Sequence, residues 1–354
     1  MSCACISRIN IKLKAYFCDV KIHQKYISRC IELAKNGLGT TYPNPLVGSV
    51  ILYDGKIIGE GWHKKAGEAH AEVNAINSVK DKSLLSKSTI YVSLEPCSHF
   101  GKTPPCSDLI IHHKIPNVVI GTIDPFAKVS GNGVKKLIES GANVTVGVLE
   151  EECNELNKRF FTFHNKKRPY IILKWAETKD GFIAPKTKED KKPVWITNKY
   201  SRQLVHKWRT EEQGILAGTQ TIIDDNPSLT ARDWKGNQPV RIVLDKKNRI
   251  PKESAIFDNS ALTILITENE IDFSKNIANQ ICNYLYEKEI QSVIIEGGSQ
   301  TLQTFIDARL WDEARVFKGL SFFSEGTKAP KISRKISESK KIISDELLIF
   351  TNYD

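Results

Sequence analysis

The feature that most constrains this chain is a short stretch, Gly67–Cys106, that concentrates histidine, glutamate and cysteine. His70 and Glu72 are two positions apart, and Cys97 and Cys106 each directly follow a proline. An imidazole and two thiolates can fill three corners of a tetrahedral Zn²⁺ site and leave the fourth for water, whose pKa the metal lowers toward ~7. A carboxylate beside that water can take its proton and return it to a leaving amine. We therefore predict a zinc site formed by His70, Cys97 and Cys106, with Glu72 as the general acid/base.

Simpler interpretations of the same residues exist. A lone histidine is often a packed core residue, and buried free cysteines behave as small apolar side chains. The two cysteines could also belong to a structural zinc site, which normally has four protein ligands. His99 is the only nearby candidate for a fourth ligand. Because an unligated carboxylate has no use at a structural zinc, we favour the catalytic interpretation.

The composition is that of a globular protein long enough for two domains. The chain has 354 residues, of which 40% are hydrophobic and 26% charged. The net charge of +10 could indicate a nucleic-acid partner, but residues 1–165 carry 20 Lys+Arg and 15 Asp+Glu, so each half of the chain carries +5. No run approaches the ~18 apolar residues of a membrane span. We predict a small-molecule substrate, with neither nucleic acid nor membrane as partner.

The cysteines indicate a reducing compartment. The eight of them are not spaced like a disulfide framework and follow no secretory signal, so we expect a cytoplasmic protein with thiols free for metal. Residues 1–20 are basic and contain no acid before Asp19. We predict a disordered N-terminal extension or a start codon placed upstream of the true one, with an organellar transit sequence as the weaker alternative.

Helical and strand patterns alternate over residues 21–165. A helix is predicted over 23–36, strands over 47–53, 88–96, 117–126 and 143–152, and further helices over 70–79, 104–115, 133–141 and 152–164. Such alternation predicts an α/β/α layer sandwich. It places His70 and Cys106 at the starts of two helices, where the helix dipole favours a thiolate.

A polar run, 165–169, is the predicted linker, with the domain boundary near residue 166. The second domain, 166–354, is again α/β. Its predicted elements are a strand that ends in the turn Asp180–Gly181, a helix over 195–210 capped by Thr197 or Asn198, strands over 214–222 and 239–245, and a strand, Gly pair and helix over 292–307. Backbone amides at that last helix start could bind a cofactor phosphate, although a plain strand-to-helix turn is the commoner meaning of a Gly pair.

The motif at the zinc ligands resembles a known family. Nucleobase deaminases share H-x-E followed by P-C-x-x-C, whereas here SLEPCSHFGKTPPC places eight residues between the cysteines. That longer loop resembles the deaminase domain of the bifunctional riboflavin-biosynthesis deaminase/reductases, which has a cytidine-deaminase-like fold. The resemblance implies one zinc per deaminase domain and substrate contacts at Asn44, His63, Lys102 and Asp124. Asn44 and Asp124 each precede a proline, so turn formation is their alternative role.

The segments LKWA, DGFIA, WIT, DDNPSLTAR and EGGS, in this order, are similar to the reductase domain of the same enzymes. The similarity implies a dihydrofolate-reductase-like fold that uses NADPH. The implied cofactor contacts are Trp195, Thr221, Asp225, Gly298 and Ser299. The implied substrate contacts are Arg209, Leu229, Arg232 and Glu296. Two arginines would suit a ribose phosphate, although most arginines are solvated surface residues. Lys174 and Glu296 are the candidate proton donors.

The sequence departs from the family pattern at three positions of the second domain. Glu177 and Thr178 replace a small residue and a serine where a cofactor contact is expected, and Pro193 stands where a hydroxyl-bearing substrate contact would fall. Thr178 keeps a hydroxyl. If the backbone of residue 177 makes the cofactor contact, Glu177 changes NADPH affinity little. If the side chain makes it, Glu177 should weaken NADPH binding.

The resemblance implies two consecutive reactions in riboflavin biosynthesis. The first is hydrolytic deamination of 2,5-diamino-6-ribosylamino-4(3H)-pyrimidinone 5′-phosphate, and the second is NADPH-dependent reduction of its ribosyl group to a ribityl chain. A homo-oligomer is expected. The alternatives are a zinc-dependent nucleoside or tRNA deaminase with a degenerate second domain, and a metal-stabilised binding protein with vestigial sites.

Overall fold

The computed structural model describes residues 20–98, 104–125, 130–187 and 194–352. Contacts within the chain divide it into two compact units, Met1–Asn165 and Lys166–Asp354. Of the predicted N-terminal extension, 1–20, residues 1–19 lie outside the described part, and Val20 already belongs to the first helix. Among the described residues, no helix combines the length and the apolar character needed to cross a lipid bilayer.

The first unit is built on a five-stranded sheet. Its strands are β1 (Gly48–Tyr53), β2 (Lys56–Trp62), β3 (Thr89–Leu94), β4 (Asn117–Thr122) and β5 (Asn143–Val146). The order across the sheet is β2-β1-β3-β4-β5, with β1 antiparallel to both neighbours and β3, β4 and β5 parallel. The helices are α1 (residues 20–34), α2 (Ala71–Ser78), α3 (Cys106–His112), α4 (Asn132–Glu139), α5 (Glu150–Leu156) and α6 (Lys158–Lys166).

Strand alternation sends side chains to both faces of this sheet, and helices cover both. On one face Val50 and Tyr91 pack with α1 and α5. On the other face Ile51, Val92 and Ile120 pack with α2, α3 and α4. The predicted α/β/α sandwich is confirmed.

The second unit has an eight-stranded sheet and a two-stranded one. The strands are β6 (Tyr170–Glu177), β7 (Phe182–Pro185), β8 (Gly214–Gly218), β9 (Val240–Leu244), β10 (Thr263–Ile266), β11 (Ser292–Ile295), β12 (Glu313–Lys318), β13 (Gly326–Lys328), β14 (Glu338–Ile342) and β15 (Asp345–Thr351). The helices are α7 (Lys199–Glu211), α8 (Thr219–Asp225), α9 (Ile277–Glu287) and α10 (Ser299–Asp307).

The large sheet runs β10-β9-β8-β11-β6-β12-β15-β14. The six strands from β10 to β12 are parallel, and β15 and β14 continue antiparallel. Helices α9 and α10 pack on one face, and α7 and α8 on the other. Because the parallel strands end at one edge, residues that follow β8 and β11 are brought together there.

Several predicted elements in the described residues have different ends. The strand predicted over 143–152 stops at Val146, because Gly147, with φ +89°, turns the chain, and α5 begins at Glu150. The strand predicted over 214–222 stops at Gly218, and α8 begins at Thr219. The β-branched run there favours a strand, but burial of Ile222 in the core favours the helix.

The helix predicted over 152–164 is two helices, α5 and α6, which are separated at Asn157 (φ −103°). The side chain of Asn157 bonds Leu46 N at 2.8 Å and Leu46 O at 2.9 Å.

Candidate active sites

Three elements of the first unit meet at the predicted metal ligands. His70 directly precedes α2 in extended conformation, Cys97 follows β3, and Cys106 is the first residue of α3. The three donor atoms lie within 4.8 Å of one another. His70 Nδ1 is 3.3 Å from Cys106 Sγ and 3.6 Å from Cys97 Sγ. Bonds of about 2.0–2.3 Å place the donors of tetrahedral zinc about 3.5 Å apart, so the arrangement fits Zn²⁺.

The Cys97 sulfur lies in surroundings that favour a thiolate. It accepts the Cys106 backbone N–H at 3.3 Å. Hydrogen bonds from the Cys106 thiol and from His70 lower the pKa of Cys97 to about 4, although burial opposes them. A thiolate is the form of cysteine that binds metal.

Glu72 lies in the first turn of α2 and is only 3% exposed. Burial and the nearby Cys97 raise the pKa of Glu72 to about 7. A carboxyl with a pKa near neutrality can both accept and release a proton. Its position two residues after the donor His70 fits the predicted acid/base role.

Asn44 and His63 lie beside the metal donors. The His63 ring stands edge-on to the His70 ring, with centroids 5.4 Å apart. His63 Nδ1 is 3.1 Å from the Ala69 carbonyl oxygen, which can only accept, so Nδ1 carries the proton. His63 Nε2 then accepts from Asn44 Nδ2 at 3.0 Å. This bond turns the amide oxygen of Asn44 away from His63, so Asn44 can offer an acceptor to a substrate N–H.

Asp124 is buried where the chain leaves β4. Its backbone N–H donates to Glu95 Oε2 at 3.3 Å, and the Glu95 carboxylate also accepts N–H groups from the start of α4. Glu95 was not predicted from the sequence. Lys102, predicted as a substrate contact, and His99 lie outside the described residues.

In the second unit, Glu296 lies between two cations. Arg209 binds it through both carboxylate oxygens, Nε to Oε1 at 2.9 Å and NH2 to Oε2 at 2.7 Å. Lys174 Nζ lies 3.5 Å from Oε2. Burial alone would raise the pKa of Glu296, but the charges of Arg209 and Lys174 outweigh it and lower the pKa to about 2. Burial also lowers the pKa of Lys174.

The predicted substrate contacts Leu229 and Arg232 lie on the loop between α8 and β9, and Arg209 reaches that loop. Arg209 NH1 donates to Thr230 O at 2.9 Å. The guanidinium of Arg209 is thus engaged at Nε, NH1 and NH2 within the protein. Arg232 is exposed, and its NH1 bonds within the loop, to Thr230 Oγ1 at 3.3 Å. A second contact to the loop comes from His206, which lies one turn before Arg209 on α7: its Nδ1 accepts from the Arg232 N–H at 3.0 Å. His206 was not predicted from the sequence. Its spacing of three residues from Arg209 was the available signal.

The starts of α8 and α10 bring most of the predicted cofactor contacts together. A Cβ on Gly298, whose φ is +63°, would lie 3.5 Å from Thr221 Oγ1. Gly298 directly precedes α10, whose first residue Ser299 donates to Lys328 O at 2.8 Å. Asp225 ends α8. This edge offers the backbone amides of α10 to a phosphate.

Trp195 is 59% exposed, and its ring lies 4.6 Å from the Arg202 guanidinium carbon. The indole therefore presents a large open surface to solvent, held from behind by a cation–π contact. Its flat, exposed face is suited to a ring-bearing ligand.

The carboxylate of Glu177 is engaged within the protein. It accepts from Trp175 Nε1 at 3.0 Å and lies 3.5 Å from Lys318 Nζ. Its backbone oxygen accepts from Gly319 N. Lys318 therefore neutralises the charge that this position introduces. Pro193 lies outside the described residues.

Both units match known families. Residues 20–122 match the cytidine and deoxycytidylate deaminase zinc-binding region, and residues 169–319 match the RibD C-terminal domain. The chain is 40% identical to riboflavin biosynthesis protein RibD of Aquifex aeolicus over 93% of this chain and 98% of that protein. It is 34% identical to RibD of Escherichia coli over 82% of this chain and 86% of that protein.

Solved structures agree. A diaminohydroxyphosphoribosylaminopyrimidine deaminase/5-amino-6-(5-phosphoribosylamino)uracil reductase from Thermotoga maritima is 38% identical, covers 95% of this chain and 100% of that one, and superposes with a TM-score of 0.86. Acinetobacter baumannii RibD is 29% identical over 95% of this chain and 100% of that one, with a TM-score of 0.84.

Proposed function

The chain belongs to the RibD family of bifunctional deaminase/reductases of riboflavin biosynthesis, and we propose that its units carry out two consecutive reactions on one pyrimidine phosphate. The first releases ammonia from 2,5-diamino-6-ribosylamino-4(3H)-pyrimidinone 5′-phosphate. The second reduces the ribosyl group to ribityl and gives 5-amino-6-ribitylaminouracil 5′-phosphate. The observation that carries the proposal is the His70, Cys97 and Cys106 donor set with buried Glu72 beside it.

In the deamination, we assign zinc binding to the three donors and proton transfer to Glu72. When bound, zinc supplies a Lewis acid that makes water nucleophilic at neutral pH. The Glu72 carboxylate takes a proton from the attacking water and passes it to the departing amine, as its pKa of about 7 allows. Asn44, His63, Lys102 and Asp124 are the proposed substrate contacts.

In the reduction, NADPH supplies the hydride. We assign its binding to Trp195, Thr221, Asp225, Gly298 and Ser299, of which Gly298 and Ser299 form the start of a helix of nine residues. Leu229 and exposed Arg232 are the proposed substrate contacts. Arg209 holds Glu296 in its ionised form and in a fixed orientation, which makes a hydrogen-bond acceptor for substrate hydroxyls.

Lys174 is the better proton donor of the two candidates. Glu296, with a pKa of about 2, carries no proton at neutral pH. Lys174 Nζ lies 3.5 Å from the Glu296 carboxylate, which favours the ammonium form, while burial lowers the pKa of Lys174 and so makes release of the proton easier. Lys174→Met should therefore lower kcat of the reduction while NADPH still binds.

The boundary near residue 166 coincides with the change of contacts between Asn165 and Lys166, and we propose domains of 21–165 and 166–354. We further propose a homo-oligomer in the cytoplasm. Free buried thiols at Cys30, Cys153 and Cys282 are consistent with a reducing compartment. Light scattering of the purified chain tests the oligomer.

Glu72→Gln tests the deaminase assignment. Because the amide keeps the size of the side chain but cannot shuttle a proton, we expect ammonia release to fall by about 10²-fold or more with one zinc per chain retained. Glu68→Gln, at an exposed position four residues earlier, should change neither quantity. Normal turnover in Glu72→Gln, or turnover of cytidine or tRNA by the unaltered protein, would contradict the proposal.

A further inference from the structure

The loop between α8 and β9 is held in a conformation that its residues do not favour by themselves. Leu229 has φ +51°, in the left-handed region that glycine prefers and that a bulky side chain rarely adopts. Leu229 is also buried, at 3% exposure. Such backbone persists only where the surroundings impose it.

Side chains hold the main chain of this loop at successive residues. Arg209 NH1 donates to Thr230 O. The Gln238 amide bonds Ala231 twice, accepting from its N–H at 2.7 Å and donating to its carbonyl at 2.9 Å. The next N–H along, that of Arg232, donates to His206 Nδ1 at 3.0 Å. His206 is therefore the last of these supports before the exposed Arg232 side chain.

The bond to Arg232 fixes the chemical form of His206. A backbone N–H can only donate, so Nδ1 must present its lone pair. The ring proton is then on Nε2, which faces Asp233 Oδ2 at 3.5 Å. The contact requires the neutral imidazole, because an imidazolium carries a proton on both nitrogens.

The charged groups around His206 favour that neutral form. Burial, at 6% exposure, lowers the pKa of His206, and the cationic Arg209 and Arg232 lower it further. Asp233 and Glu296 act in the opposite direction, and the net shift is downward.

We propose that His206 is a positioning residue for the reduction: its neutral Nδ1 holds the main chain of Arg232 and thereby aims the Arg232 guanidinium at the anionic group of the substrate. The proposal rests on the substrate role assigned to Arg232 above. His206 does not touch the substrate, so its removal should weaken substrate binding and leave the hydride-transfer chemistry intact.

Three substitutions of His206 separate the hydrogen bond from the bulk of the side chain. His206→Asn places Oδ1 where Nδ1 was, His206→Gln moves its amide beyond that position, and His206→Leu has no acceptor. In the full-length protein, supplied with NADPH and the deaminated pyrimidine phosphate, we expect Gln and Leu to raise the substrate KM about tenfold, the effect of one lost hydrogen bond. We expect kcat and the NADPH Kd, measured by fluorescence, to stay within about twofold of the values for the unaltered protein. His206→Asn should have the same substrate KM as the unaltered protein.

A pH series adds a signature that a purely structural role would not produce. Below the folded pKa of His206, Nδ1 also carries a proton. That proton faces the N–H of Arg232, and the hydrogen bond between them is lost. The pKa of His206 is lowered from the ordinary value of 6.5, so only below that pH should the substrate KM of the unaltered protein rise more steeply than that of His206→Asn, which has no proton to gain. The Asn variant also accounts for titration of the substrate phosphate.

Controls identify which idea fails. Gln203→Leu alters an exposed position of the same helix and should leave KM unchanged. The number of NADPH molecules bound per chain reports how much of the second unit is folded. A normal KM in Arg232→Met overturns both the role of Arg232 and this proposal. A raised KM in Arg232→Met with a normal KM in His206→Leu overturns this proposal alone. Equal KM values for His206→Asn and His206→Leu also overturn it. If the double variant His206→Leu/Arg232→Met has the same KM as Arg232→Met alone, the two residues act together, and the proposal is supported.

Discussion

Glu296 is an ionised carboxylate held almost out of water between Arg209 and Lys174, with a side chain only 7% exposed. Such a cluster is stable only as a set, because each charge compensates the desolvation of another. Removal of the central carboxylate leaves two cations facing each other in the interior.

We expect Glu296→Gln to lower the free energy of unfolding by about 3–5 kcal/mol, as for other broken buried pairs. Urea unfolding followed by tryptophan fluorescence measures the loss. Glu287→Gln, at an exposed position of α9, is the matched control and should change stability by less than about 0.5 kcal/mol. Equal stability of the two variants would show that the cluster contributes little.

The same carboxylate predicts a dependence of stability on pH. Its folded pKa of about 2 lies below the ordinary value of 4.5, so the folded state binds its proton less readily than the unfolded state does. Its contribution is fully present above pH 4.5 and is lost as pH falls toward 2. The stability difference between the unaltered protein and Glu296→Gln should therefore shrink over that window, and a constant difference would contradict the assignment.

At the scale of elements, Glu95 joins two strands and a helix. It follows β3, its N–H donates to Thr122 O at the end of β4, and its carboxylate accepts the N–H groups of Gly131, Gly133 and Val134 at the start of α4. A Cβ on Gly133 would lie 2.1 Å from Pro96 O, so helix and strand end meet at backbone contact.

Glu95→Ala would leave these buried N–H groups without their acceptor, and we expect a loss of about 2–4 kcal/mol in unfolding free energy. Glu139→Ala, near the exposed end of α4, is the control. Chemical denaturation of both variants measures the difference. If Glu95→Ala proved as stable as the control, α4 would not depend on this carboxylate.

Sequence reasoning predicted the metal donors because their chemistry is concentrated in one motif. It could not predict Glu95 or His206, since the partners of Glu95 are up to 39 residues away and Arg232 is 26 residues from His206. Similarly, Arg209 was predicted to bind phosphate, while its fork is engaged by Glu296, 87 residues away. Contacts of this kind are set by how the helices pack on the sheet of each unit, α4 in the first and α7 in the second, which local patterns do not encode.

At the scale of the whole molecule, each unit contains its own core and its own set of functional residues. All three zinc donors lie in the first unit, and the proposed NADPH contacts lie in the second. Zinc binding and hydride transfer thus depend on different parts of the chain.

Removal of zinc with a chelator should abolish ammonia release and leave NADPH oxidation with the deaminated pyrimidine at its original rate. Added Zn²⁺ should restore the first activity. A parallel fall of both activities would show that the second unit depends on the metal of the first.

The central position of β6 also determines when the second unit can form during synthesis. β6 is made first, yet its neighbours on either side are β11 and β12, residues 292–295 and 313–318. On the ribosome, the apolar segment YIILKWA must therefore wait without its partner strands while the intervening chain is translated. The first unit has no such delay, because β3 and β4 are neighbours in both sequence and sheet. Nascent chains stalled before residue 292 should accordingly be the ones that engage chaperones.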